Sequence, residues 1–194
     1  FRGRDISRSD FSRVKNLEWQ HISMAEDASG LIYPETFNIE TIDSIGKNFS
    51  GNDFSRVKNL RWEHIKDARY IAGIVYPPDF NVEEADFREM DIRFSDFSRV
   101  KNLKWEHISV AGIDLRGIKY PAGFDFTKAD LAGREIAGSD FRYVTGLEWQ
   151  QMLEQSGWKK VFGVKKSLKG IVFPVEFDYS GVSLEGVDVS YCDF

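Results

Sequence analysis

His21, His64 and His107 recur at one interval of 43 residues. Equal spacing in imidazoles invites a metal reading, because neutral imidazole is a common ligand. Residues one repeat apart should lie about 10 Å from each other if each repeat adds two strand spacings. A single ion needs its ligands about 2 Å away. Gln151 replaces the histidine in a fourth copy. The histidines therefore read as polar positions on a helix face, and no metal or cofactor is expected.

Asp10, Asp53, Asp96 and Asp140 form a second ladder. Each stands before an aromatic residue at the same place in the repeat, so they read as turn residues rather than paired catalytic carboxylates. Cys192 is the only cysteine and excludes an internal disulfide. It falls at a small inward position and reads as a buried, inert thiol. No GxSxG, P-loop, HExxH or CxxC sequence occurs. No catalytic residue is expected.

Two groups could bind a partner. Arg13, Arg56 and Arg99, with Lys15, Lys58 and Lys101, make a repeating basic ladder. The second group is Trp158, Lys159, Lys160, Phe162, Lys165, Lys166 and Lys169, with no acid between Glu154 and Glu176. It reads as a basic and aromatic excursion able to meet an acidic partner or a membrane surface.

These residues are positioned by a repeat. SDFSRVKNLEWQHIS begins at Ser9, NDFSRVKNLRWEHIK at Asn52 and SDFSRVKNLKWEHIS at Ser95, and an eroded copy begins at Ser139. Self-similarity at a fixed period of this length signals stacked structural units. One domain is expected over residues 1–194, with repeats starting near 9, 52, 95 and 139. The chain opens on Phe1 and ends at Phe194 in mid-pattern, so a piece of a longer protein is expected.

Four five-residue units lead into each later copy. One set reads FDFTK, ADLAG, REIAG, SDFRY, from Phe124 to Tyr143. Three such sets and a fourth, from Phe177 to Phe194, hold sixteen units, and the central residue is apolar in fifteen; Ser44 is the exception. A period of five fits neither a helix nor an ordinary strand. It fits a chain that turns a corner every five residues, with the central side chain inward and Asp or Asn outside at the turn.

These units resemble those of the pentapeptide-repeat family, A-[DN]-[LF]-x-x. The resemblance covers about half of the chain. It implies a mainly-β solenoid, a right-handed quadrilateral β-helix. Lys47 and Arg134 depart from the family by standing at small inward positions, which implies a looser corner there.

Between the sets, Trp19, Ile22 and Ala25 share a helix face, as do Trp62, Ile65 and Ala68, and Trp105, Ile108 and either Ala111 or Gly112. A helix of two to three turns is expected in each repeat, capped at Asn102 and stopped at Gly112 in the third. Strand-like pieces follow, such as Gly73–Tyr76 and Gly117–Tyr120, each ended by proline. Neighbouring helices need about 8–10 Å between axes, so each repeat should hold two coils.

A net charge of −5 favours no partner class strongly. No apolar run approaches the ~18 residues of a membrane span. The expected function is a non-catalytic protein–protein interaction scaffold, part of a bacterial, effector-like protein. Its expected place is the bacterial cytoplasm or a host cell. Partners other than protein (small molecule, nucleic acid, membrane) are not expected. The alternatives are a DNA mimic acting on a DNA topoisomerase, which the family resemblance suggests, and an accessory domain of a larger enzyme.

Overall fold

The computed structural model describes residues 1–153 and 166–194. Single parallel bridges join Asp10 to Ile32, Ile32 to Asp53, Asp53 to Val75, Val75 to Asp96, Asp96 to Lys119 and Lys119 to Asp140. The chain thus lies back against itself every 21 to 23 residues over this span. Each 43-residue repeat makes two passes, the number that helix spacing requires. The bridges continue from Asp140 to Val172 and from Val172 to Asp193.

The mainly-β solenoid expected from the five-residue units is not what forms. Among the described residues, regular strand is confined to β1 (Lys166–Ser167) and β2 (Val187–Asp188), which pair in parallel. The remaining pairings are bridges one residue long, and helix and strand are both minor. The right-handed quadrilateral β-helix that the family resemblance implies falls with it. The strand-like pieces shrink likewise to one bridging residue each, at Ile32, Val75, Lys119 and Val172. The cause is the turn density. Left-handed residues recur along the chain, among them Gly30, Gly51, Gly73, Phe94 and Gly117. Each stands two residues before a bridging residue and turns the chain there, so the pairing does not extend back through the turn.

The turn chemistry follows the sequence closely. Ser12 N–H donates to Asp10 Oδ1 at 2.8 Å, Ser55 N–H to Asp53 Oδ1 at 2.8 Å, and Ser98 N–H to Asp96 Oδ1 at 3.0 Å. A short carboxylate closing onto the amide two residues on is the Asx turn. The proline corners close in the same regular way. Phe37, Phe80, Phe124 and Phe177 each donate their N–H to the carbonyl of the proline three residues earlier.

Inward positions make one core running from Ile6 to Phe173. Phe54, Phe97 and Phe141 are fully buried, and so are Asn52, Ser95 and Ser139 two positions before them. Each of these rings stacks on the tyrosine that precedes a proline corner. Tyr33–Phe54, Tyr76–Phe97 and Tyr120–Phe141 have centroids 4.7, 4.6 and 5.1 Å apart and nearly parallel planes. Such offset pairs add about 0.5–1.5 kcal/mol each beyond simple burial.

The helices are shorter than expected. α1 is Trp19–Ile22, α2 is Trp105–Ile108 and α3 is Trp149–Leu153; the second copy has only a 3₁₀ turn, Trp62–His64. Chain length is the limit. Trp19 is followed after eight residues by Asp27, which already bridges Asp5. Three helical turns would use about eleven residues and leave none to return. α2 runs on into a 3₁₀ turn, Ser109–Ala111, and Gly112 does close it, at φ 119°. Asn102 is not a cap. It sits at φ 59°, in the turn before the helix.

Candidate interaction surface

The histidines turn out to cap these short helices. His21 Nδ1 accepts the Glu18 N–H at 3.0 Å, His64 Nδ1 that of Arg61 at 3.1 Å, and His107 Nδ1 that of Lys104 at 3.1 Å. In the fourth copy Gln151 Oε1 accepts the Glu148 N–H at 2.7 Å. Glutamine supplies the same acceptor in the same place, which accounts for the exchange. An imidazole that accepts at Nδ1 carries its proton on Nε2 when neutral. That side faces a carboxylate: His64 Nε2 lies 3.4 Å from Glu40, and His107 Nε2 lies 3.4 Å from Glu83. Among the described residues, no group of three or more His, Cys, Asp or Glu is placed to hold a metal ion.

This edge compensates its own charge. Arg61 reaches Glu40 at 2.8 Å, and Lys104 reaches Glu83 at 3.2 Å. The Lys104 ammonium holds the Glu83 carboxyl below its usual range, with His107 adding to the effect. Another wall is similarly closed. Arg93 bonds Asp91 and Asp114, while Arg116 bonds Asp114 and Glu135.

Lys47 and Arg134 do not loosen a corner. Lys47 Nζ lies 5.9 Å from the Trp19 ring centroid and donates to Ser23 O at 2.8 Å. The Arg134 guanidinium lies 5.1 Å from the Trp105 centroid and donates to Gly112 O and Asp130 O. Each sets its cationic head over a tryptophan ring and donates to a carbonyl at the helix end, Ser23 O or Gly112 O, a use of long cationic side chains that their charge alone does not reveal.

Cys192 is only partly buried, against the expectation of full burial. Its thiol donates to Leu168 O at 3.0 Å, and burial pushes its pKa up. Both features oppose nucleophilic use.

The basic ladder is exposed. Arg13, Arg56 and Arg99 all stand in solvent on equivalent turns, and none forms an ion pair among the described residues. Lys58 pairs with Glu35 at 2.8 Å; Lys15 and Lys101 have no such partner among the described residues. Of the second group, Trp158, Lys159, Lys160, Phe162 and Lys165 lie outside the described residues. Lys166 enters through its backbone, in β1. Lys169 is exposed, with Nζ 5.2 Å from the ring centroid of Tyr191.

Sequence reasoning missed the capping role of the histidines and the acids that serve the ladder. The first had a signal: Gln151 preserves acceptor ability and loses basicity. The acids had little, because Glu35 is the one acid at its repeat position and Asp79 shares its position with Glu176 alone.

Among the described residues, no helix is long and apolar enough to cross a membrane. Comparison with protein-family models, curated proteins and solved structures gives no match. The resemblance to pentapeptide-repeat proteins rests on the residues of the units alone.

Proposed function

We propose that the chain is a non-catalytic scaffold that presents its basic edge to a protein partner. The supporting observation is the contrast between edges. The histidine edge and the Arg93–Arg116 wall pair their charges internally. The ladder at Arg13, Arg56 and Arg99 leaves its cations in solvent at a regular spacing. Stacked units build extended binding surfaces of this kind, and a row of like charges steers a complementary partner toward it. The scaffold belongs to a bacterial protein and works in the bacterial cytoplasm or after delivery into a host cell.

The test is retention of proteins from bacterial and host lysates on the immobilised chain, with chemical cross-linking to locate the contact. A specific protein cross-linked beside the ladder, and lost when Arg13, Arg56 and Arg99 are changed together to Gln, is the expected result. Retention of no protein from either source overturns the reading.

A further inference from the structure

Ser98–Asn102 is the third copy of a turn also built at Ser12–Asn16 and Ser55–Asn59. Its asparagine is left-handed each time, at φ 57°, 60° and 59°. In the middle copy two carboxylates reach this turn from the proline corners of the passes on either side. Glu35 meets Lys58 Nζ at 2.8 Å, and Asn59 N–H donates to Asp79 Oδ2 at 3.0 Å. The middle turn thus shows which chemistry these residues take: carboxylate, at the ammonium and at the left-handed amide.

In the third copy both acids are missing. The position of Glu35 is taken by Pro78, and that of Asp79 by Gly123. Arg99, Lys101 and the Asn102 amide have neither ion pair nor hydrogen bond among the described residues. A cavity of about 490 Å³ lies between this turn and the corner Pro121–Phe124. Arg99, Lys101, Asn102, Gly123 and the buried ring of Phe124 line it, and no acid does.

We infer that this notch receives carboxylate side chains from an acidic segment of a protein partner. The inference rests on the scaffold reading and gives that partner its chemistry. One carboxylate takes the Asn102 N–H, as Asp79 takes that of Asn59. A second takes Lys101 and Arg99, as Glu35 takes Lys58. Charge-assisted bonds of this type are about twice as strong as neutral ones.

The test uses fluorescein-labelled hexaglutamate, with hexaglutamine as the neutral control, read by fluorescence anisotropy. The chain binds hexaglutamate and releases it as salt rises, because exposed charges are screened over about 8 Å at 0.15 M. Changing Arg99 and Lys101 together to Gln weakens binding about tenfold, the sum expected for two exposed ion pairs. Changing Arg56 and Lys58 together to Gln alters it less than about twofold, since the sister turn already holds its own acids. Ala122→Glu supplies an internal carboxylate at the corner and blocks the site without removing a cation. Thermal melting checks that each variant folds.

No binding of hexaglutamate, equal binding of hexaglutamine, or equal losses in the two double variants overturns the inference. So does displacement by inorganic phosphate at the concentration that hexaglutamate requires, which makes the notch a phosphate site. Lysate retention separates this reading from the scaffold. A specific partner that persists after Arg99 and Lys101 are changed removes the notch and leaves the scaffold standing. Retention of nothing removes the scaffold, whatever the peptide does.

Discussion

His64 and Gln151 do the same work with different side chains, so the capping bond is separable from the ring. His64→Gln should melt within about 0.5 kcal/mol of the parent, and His64→Ala should lose roughly 1–2 kcal/mol, the usual range for a lost cap. Equal losses in both would show that burial of the ring, not the Nδ1 bond, is what matters. The opposite lesson comes from Gly146. Its three sister positions hold Asn16, Asn59 and Asn102, and all four are left-handed. A consensus argument would restore asparagine. A Cβ at Gly146, however, would stand 2.8 Å from Thr127 N and 2.9 Å from Asp125 Oδ1. Gly146→Asn should therefore lower the melting temperature, although the same residue serves elsewhere in the chain. A gain in stability would mean that the Asp125–Thr127 turn can move aside. Within one unit, Phe97→Ala should cost about 3–5 kcal/mol as a large-to-small core change. Asp96→Ala removes a turn bond and the Lys119 contact at 2.9 Å and should cost less, about 1 kcal/mol by the range for capping bonds. Equal losses would reverse the assignment of inside and outside.

At the scale of elements, the five-residue unit was legible as a turn and misleading as a strand. Its aspartate, its central apolar residue and its proline corner each do what their chemistry suggests. The inference that failed was the step from a repeating corner to a β wall. A wall needs consecutive extended residues, and Gly51, Gly73 and Phe94 return the backbone to positive φ too often. The helix length failed for a related reason. Periodicity marks a face, but only the bridges at Asp27 and Tyr70 show how soon the chain must return. The turns also make a pH prediction. Bonds from the amide and side chain of Ser12 lower the Asp10 pKa, and Arg88 brings Asp86 to about 2. Desolvation opposes the shift at Asp96, yet bonds from Ser98 and Lys119 still carry its pKa downward. A carboxyl whose folded pKa is depressed contributes stability above its unfolded value, about 3.9 for aspartate. That contribution is lost as pH falls through the folded value. Melting temperature should hold from neutral pH down to about 4 and then fall steeply toward pH 2. Asp96→Asn keeps the turn acceptor and should flatten part of that fall. An unchanged acid limb would place the sensitive groups elsewhere.

For the whole molecule, the period itself carries a distance. Four bridges separate Asp10 from Asp96, through Ile32, Asp53 and Val75. If each pass adds one strand spacing, equivalent residues two repeats apart lie about 19 Å from each other. Ser12 and Ser98 are equivalent, sit on open turns and donate the same Asx bond, so labels there should disturb little. Cys192→Ser removes the only native thiol, and its partial burial makes the exchange mild. Spin labels on Ser12→Cys and Ser98→Cys in that background should then give one narrow distance distribution, centred near 19 Å plus the reach of the two labels. A distribution near half that value would mean one pass per repeat. The short helices would then be pressed to about 5 Å, closer than helices pack. A mean above 30 Å, or a broad spread, would mean that the passes do not lie in contact. In that case the stacked tyrosine and phenylalanine rings could not form one column, and the basic ladder would not present its cations at a fixed spacing.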